Sequence, residues 1–287
     1  MGELVSVIIP AYNREKTIEK AIQSVLDQMY KDVEVIVIDD GSTDDMVSAV
    51  KSIKDKRVKC ISLGKNSGAC RARNKGIEVA QGRYIAFQDS DDIWKPGKLE
   101  KQIAILKKES VDLVFCAFER VKDTEKAILP LLDEGYVSRE KLLERSLVST
   151  QTLVGKRECF DNIIFDEKMP RLQDYDITIR LSGKFKFYFI NEPLVEMYVG
   201  SDSISRSTIK MLNAEQRIFS KYQSEMVQYP AFKLYNLEGL AKAKLDNEMY
   251  CTKDYIHACV LCPSIKAIGR IFRAIVADVI VCFRKRK

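Results

Sequence analysis

The chain has 287 residues, 46% of them hydrophobic and 31% charged, which suits one large α/β domain with an appendage. No apolar run approaches the ~20 residues that cross a bilayer. Seven of the 47 Lys and Arg but only one of the 41 Asp and Glu lie in 264–287, so the formal charge of +6 is a basic tail on a neutral body, and nucleic acid is not an expected partner.

The N-terminus, Met1-Gly-Glu-Leu, leads almost directly into a strand, so no secretion signal is read there and a cytoplasmic protein is expected. The eight cysteines then read as reduced thiols. Residues 5–10, Val-Ser-Val-Ile-Ile-Pro, form a β-branched run that predicts a buried strand. A helix follows with Ile18, Ala21, Ile22, Val25, Leu26 and Met29 on one face. A second strand over 33–38 ends at Asp39-Asp40-Gly41, and Ser42, Thr43 and Asp44 offer caps for a helix through Val50. A third strand is predicted over 58–63, then a helix over 69–80 closed by Gly82.

The fourth strand, 84–87, runs into Asp89, Asp91 and Asp92. Carboxylates held this close raise one another's pKa, and a divalent cation removes the conflict. Mg²⁺ uses one or two protein carboxylates and fills its other positions with water and phosphate oxygens. Pro96 is expected to open a helix through Lys107, and a fifth strand covers 111–118. Strands alternating with helices predict a mostly parallel sheet, whose ligands bind at the carboxyl ends of its strands. Both acid pairs, Asp39-Asp40 and Asp89-x-Asp91, should therefore open onto one cleft.

Beyond residue 120 the pattern is less regular. A helix is expected over 177–181, a strand over 185–190, an edge strand over 192–198 and a polar loop over 200–205. Residues 208–260 have helical period. Cys251, His257, Cys259 and Cys262 are spaced irregularly within such a segment, which argues against a zinc site. In 264–287, Ile265, Ile268, Ile271, Phe272, Ile275, Val276, Val279, Ile280 and Phe283 share one helical face, with Lys266, Arg270, Arg273 and Arg284 on the other. Such a helix fits a membrane interface, packing on the domain or burial in an oligomer, and the membrane is the preferred expectation. Three segments result: a catalytic domain over 1–207, a helical extension over 208–263 and a membrane-associating tail over 264–287.

Five segments in order resemble the family-2 glycosyltransferases of the GT-A fold, over roughly residues 4–205: Val-Ser-Val-Ile-Ile-Pro-Ala-Tyr-Asn13; Val-Ile-Asp-Asp-Gly-Ser-Thr-Asp44; Gly68-Ala-Cys-Arg-Ala-Arg-Asn74 with Gly76; Gly82-Arg-Tyr-Ile-Ala-Phe-Gln-Asp-Ser-Asp-Asp92 with Trp94; and Gln173-Asp-Tyr-Asp176 followed by Arg180. The resemblance implies an α/β fold with a mostly parallel sheet flanked by helices. It also implies inverting, non-processive transfer of a sugar from a nucleotide-sugar, usually a UDP-sugar, with Mn²⁺ or Mg²⁺ as cofactor. Matched position by position, it puts Pro10, Ala11, Tyr12 and Asn13 at the start of the nucleotide pocket and Asp40 at the uracil edge. Asp39 then supports the loop or the ribose, and Arg73 lies near the pyrophosphate; Asp89 and Asp91 match the metal-binding acids, Asp91 in direct contact with the ion and Asp89 at the ribose or reaching the metal through water. Asp174 matches the catalytic base, which takes the proton of an acceptor hydroxyl attacking from the face opposite the diphosphate; its alternative is a cap for a helix near Asp176. Asp92 reads as a structural acid, and Trp94 as an acceptor platform rather than a core residue.

The chain has Gln173 where the family often has Glu. It also lacks the family's metal-proximal His after Tyr198, leaving Ser201, Asp202 or Ser203 as a lid over the diphosphate. An acceptor attached to a lipid carrier, as in bacterial surface polysaccharide assembly, is the family analogy. Two other classes remain to be weighed. A sugar nucleotidyltransferase wants a Gly-rich basic loop after its first strand, where this chain has Pro-Ala-Tyr-Asn. An inactive scaffold partner would be expected to lose Asp91 or Asp174, and both are present.

Overall fold

The structure, a computed structural model, describes residues 3–199, 207–263 and 265–284. The loop holding Ser201, Asp202 and Ser203 lies outside the described residues. The chain forms two compact units. The first comprises Met1–Arg139, Leu147–Glu167 and Ile177–Ser201. The second comprises Glu140–Ser146, Lys168–Asp176 and Asp202–Lys287.

The first unit is built on a ten-stranded sheet. Strands β1 (Val5–Ala11), β2 (Val33–Asp39), β3 (Val58–Ser62) and β4 (Tyr84–Phe87) pair in parallel in the order β3-β2-β1-β4. Every residue of β1, β2 and β4 is buried, as expected of a parallel sheet covered on both faces. The other half is mixed. It contains β5 (Ile93–Trp94), β6 (Leu113–Lys122), β7 (Glu125–Leu129), β8 (Gly135–Val137), β9 (Val154–Lys156) and β10 (Phe187–Tyr198). Strand β9 runs antiparallel to both β4 and β6, and β10 lies between β6 and β5. Helices α1 (Ile18–Leu26), α2 (Met46–Ser52), α3 (Ala69–Val79) and α4 (Lys98–Lys108) flank the sheet. The architecture is the expected α/β one.

Several boundaries differ from expectation for identifiable reasons. Helix α1 stops at Leu26, so Met29 is exposed. Helix α4 starts at Lys98 because Gly97 takes a left-handed conformation, φ +84°, just after Pro96. Gly82 does not end α3, which is closed by Ala80. Instead it lets the chain pass close to β1, since a Cβ there would lie 2.6 Å from the Ser6 nitrogen. The two strands expected over 185–198 are one, β10. Its register shifts around Pro193 absorb the missing N–H and let proline sit in an interior strand rather than at an edge.

Gly76 sets the spacing of α3 on β1. A Cβ at this position would lie 2.3 Å from Cγ2 of Ile8, which is fully buried. Gly76→Ala is expected to destabilise the protein by about 1–3 kcal/mol through overpacking, read as a lowered denaturant midpoint with unchanged m-value.

The second unit is helical. It contains α7 (Thr208–Lys221), α8 (Gln223–Gln228), α9 (Pro230–Asp246), α10 (Thr252–Leu261) and α11 (Ile265–Arg284), after α5 (Arg139–Glu144) and α6 (Gln173–Leu181), which it shares with the first unit. Its membership is wider than the stretch beyond residue 207, because aromatic packing captures two earlier segments. The Tyr175 hydroxyl donates to the Leu143 carbonyl at 2.6 Å, and its ring meets Phe232 and Tyr235 edge-on. Asp176, fully buried, accepts from Lys221 Nζ at 2.6 Å and from the Tyr222 hydroxyl at 2.7 Å. Helix α11 is not a detached tail. Ala274 packs with Ala241, Cys251 and Tyr255, and Asp278 accepts the backbone N–H groups of Cys251 and Thr252 at 3.0 Å each.

Candidate active site

Strands β2, β1 and β4 are adjacent and parallel, so their carboxyl ends share one edge of the sheet. At strand spacings of about 4.8 Å, the acids after β2 and those after β4 stand roughly 10 Å apart with the end of β1 between them. The convergence of the two acid pairs on one edge is thus present. Pro10 and Ala11 close β1 and are buried. Pairing of β1 with β4 has already ended at Ile8 and Phe87, so the missing N–H of Pro10 costs no ladder bond. Tyr12 is exposed, and Asn13 adopts a left-handed φ of +53°. Asn13 ties the first two loops together: its N–H donates to Ser42 Oγ at 3.0 Å, and its Oδ1 accepts from the Thr43 N–H at 2.8 Å.

Asp39 and Asp40 are both buried, and both carboxylates shape loops. Asp39 accepts from the Ser42 N–H at 2.8 Å and from Ser62 Oγ at 2.7 Å. Asp40 accepts the N–H groups of Ser67 and Gly68, each at 2.7 Å, and so fixes the turn that starts α3. A carboxylate has about four acceptor sites, so two amides leave Asp40 capacity for a further donor.

The acids after β4 are arranged by two arginines. Arg73, buried on α3, donates from Nη2 to Asp89 Oδ1 at 2.7 Å and stacks over Phe165, 5.4 Å from its ring centre. Arg14 pairs with Asp91, Nε to Oδ2 at 3.4 Å. Burial, and then the charge of Asp89, push the Asp91 carboxyl above its ordinary pKa, while Arg14 opposes the rise. Asp92 is pushed well up by burial and by both neighbouring acids. It accepts the Tyr198 N–H at 3.0 Å and so ties the end of β10 to the acidic loop. These crowded carboxylate oxygens are the donor set that suits Mg²⁺ or Mn²⁺. Among the described residues no three His, Cys, Asp or Glu side chains form a ready-made metal cluster.

Asp174 belongs to the second unit. Helix α6 starts at Gln173, earlier than its period suggests, so Asp174 lies in its first turn, half-buried, with Oδ1 accepting the Tyr175 N–H at 2.8 Å.

The sequence matches the family described as Glycosyl transferase family 2 over residues 6–169, more than half of the chain. The chain belongs to that family. It is a glycosyltransferase, and it is similar to others along most of its length. An Escherichia coli protein named UDP-Glc:alpha-D-GlcNAc-diphosphoundecaprenol beta-1,3-glucosyltransferase WfgD is 30% identical over 239 residues, covering 82% of this chain and 90% of that one. A second E. coli protein of the same activity, WfaP, is 45% identical over 121 residues, covering 42% and 48% of the two chains. Among solved structures, S. aureus TarS 1–349 in complex with UDP-GlcNAc aligns with a TM-score of 0.66 at 18% identity, covering 94% of this chain and 79% of that one. The mannosyltransferase PcManGT from Pyrobaculum calidifontis, in complex with GDP-Man and Mn²⁺, aligns at 0.64 with 17% identity, covering 96% and 80%. At these identities the two structures bear out the GT-A-like fold.

One site expectation fails in this glycosyltransferase. Trp94 is 2% exposed and points into the core, its Nε1 donating to the Gln151 carbonyl at 3.2 Å. The ammonium of Lys98, itself fully buried, sits 3.8 Å from the ring centre. The ring has no face free for an acceptor. Along β5 the side chains alternate, and Trp94 takes the inward position next to the acids. Arg14 was missed. Its signal was a base one residue beyond Pro-Ala-Tyr-Asn, at the end of the strand that pairs with acid-bearing β4.

Proposed function

We propose that this enzyme moves a sugar from a UDP-sugar to a hydroxyl of a lipid-linked glycan with inversion, non-processively, in bacterial surface polysaccharide synthesis. The observation that carries the reading is the β4 end, where Asp89 and Asp91 each face an arginine and the acids crowd one another. Asp40 would take the uracil edge, with Pro10, Ala11, Tyr12, Asn13 and Asp39 framing the nucleotide. Asp89 would face the ribose and Arg73 the diphosphate, which its planar fork suits. Asp91 would hold Mn²⁺ or Mg²⁺, which neutralises charge on the leaving diphosphate when bound. Asp174 would take the proton of the attacking hydroxyl. The two E. coli relatives support the donor and acceptor classes, since their names specify UDP-glucose and a sugar on diphosphoundecaprenol. Release of UDP from UDP-sugars, stimulated by Mn²⁺ or Mg²⁺, tests the donor assignment. Turnover confined to GDP- or CMP-sugars would overturn it, and undiminished turnover in chelator would remove the metal.

A lipid-linked acceptor calls for a place at the membrane surface, and α11 offers one. No described helix is long and apolar enough to cross a membrane. Yet Ile268, Phe272, Ile275, Val276, Val279 and Ile280 are all exposed and recur at helical spacing on one face of α11, with Arg273 exposed beside them. Arg270 is engaged with Glu238. The basic residues of 264–287 favour an anionic surface. The chain ending at Pro263 is expected to lose co-sedimentation with anionic vesicles, whereas the full chain pellets with them; equal pelleting of both would refute the docking role.

A further inference from the structure

Arg14 and Arg73 both face the acids after β4, and they are held differently. The Arg73 pair with Asp89 is 2.7 Å long, the arginine side chain is 8% exposed, and its guanidinium stacks on Phe165. That cation is fixed. The Arg14 pair with Asp91 is 3.4 Å long, with the two side chains 29% and 38% exposed. Charge-assisted bonds run to about 2.7–2.9 Å, so the Arg14 contact is a loose one, and open ion pairs of this kind add little to stability. Its Nη1 also donates to the carbonyls of Asn13 at 3.1 Å and Tyr12 at 3.4 Å.

The backbone beneath Arg14 is pinned. Asn13 is bonded to Ser42 and Thr43, and the Arg14 carbonyl accepts the N–H groups of Thr17 at 3.1 Å and Ile18 at 3.0 Å, where α1 begins. The long side chain is therefore the part that can move, and it pivots from the end of β1. Strand β1 lies between β2, which Asp40 follows, and β4, which runs to Asp91. A nucleotide whose base sits at Asp40 and whose phosphates reach Asp91 crosses the end of β1. Arg14 stands on that path.

We propose that Arg14 competes with the divalent ion for Asp91, and that the donor's diphosphate settles the competition by drawing the guanidinium to its own oxygens. The inference rests on the reading of Asp91 as metal ligand and of Asp40 as the residue at the uracil edge. A positive charge beside a carboxylate repels a second cation, and even in water two like unit charges 4 Å apart disfavour each other by about fivefold in an equilibrium. A diphosphate is a stronger partner for a planar cation than one carboxylate, since it carries more charge and offers several oxygens. Metal then binds weakly to the enzyme alone and more tightly with the donor in place, so Asp91 is freed when there is a diphosphate for the ion to neutralise.

The test is Mn²⁺ binding to the full-length protein, followed by the electron paramagnetic resonance of the free ion, with calorimetric binding of UDP in chelator alongside. Arg14→Gln is expected to bind Mn²⁺ about three- to tenfold more tightly than wild type without nucleotide, and UDP about three- to tenfold more weakly without metal. Damage to the fold would weaken both; competition moves the two affinities in opposite directions. Arg14→Lys, which keeps the charge, should stay near wild type in Mn²⁺ binding. In Asp91→Asn, adding Arg14→Gln should no longer raise Mn²⁺ affinity. Mn²⁺ titrations that coincide for wild type and Arg14→Gln, or a UDP affinity that does not fall, would overturn the proposal. Failure of the metal reading itself looks different: wild type would take up no Mn²⁺ even with UDP bound, and the proposal would fall with it.

Discussion

Asp174→Asn is expected to lower kcat about a thousandfold while leaving the affinity for UDP within a fewfold of wild type. General-base catalysis contributes about 10²–10⁴ in rate, and an amide cannot take the proton that the carboxylate would take. The fold should survive. Oδ1 of Asp174 accepts the Tyr175 N–H, and the Asn side-chain oxygen can accept the same bond. The neighbouring anchors, Tyr175 on Leu143 and Asp176 on Lys221 and Tyr222, are untouched. Steady-state kinetics with calorimetric UDP binding and a melting curve separates the cases. Low kcat with normal binding and melting supports the base; activity within threefold of wild type removes it.

Asp91→Asn should lower kcat/KM by about two to three orders of magnitude and blunt the response to Mn²⁺. An ion clamping a leaving diphosphate supplies several kcal/mol, and each tenfold in rate is about 1.4 kcal/mol. The structure adds an expectation of opposite sign for stability. Because the Asp91 pKa is raised in the folded state, the folded protein binds more protons than the unfolded chain as pH rises through the carboxylate range. Its ionised form therefore works against folding at neutral pH, and removing the charge relieves Asp89 and Asp92. The lost partner is the half-exposed pair with Arg14, worth about 0–1 kcal/mol. The metal-free variant should melt no lower than wild type and be at least as stable at pH 7 as at pH 5 relative to it. A variant that is both inactive and markedly unstable would mean that Asp91 is a structural acid instead.

The parts of this enzyme legible in its sequence are those whose burial is local. Strands β1, β2 and β4 are apolar throughout and end in turn chemistry, so their positions, and the meeting of both acid pairs on one edge, follow from period and composition alone. What was not legible depends on long-range contacts. The stretch 192–198 reads as an edge strand, and only the register shifts of β10 around Pro193 reveal a central one. Trp94 beside three acids looked functional, while the direction of one strand residue turned it into the core. The salt pair of Arg14 with Asp91 joins the loops that follow two different strands, β1 and β4. The capture of 168–176 by the helical unit depends on Tyr175 meeting Phe232 and Tyr235, some sixty residues later in the chain. Periodicity reports that a side chain is buried, not what it is buried against.

The buried acids divide by their partners. Asp39, Asp40 and Asp176 are engaged with backbone amides, hydroxyls or a lysine and hold the loops in place. Burial pushes up the carboxyls of Asp91, Asp92 and Glu215, and Asp92 also anchors Tyr198.

The most direct measurement of the account is the anomeric configuration of the product formed from an α-linked UDP-sugar, read by proton NMR on the purified glycan. The proposed inverting transfer, with Asp174 as base, predicts a β-linked product. An α-linked product would contradict inversion and leave Asp174 without its proposed role.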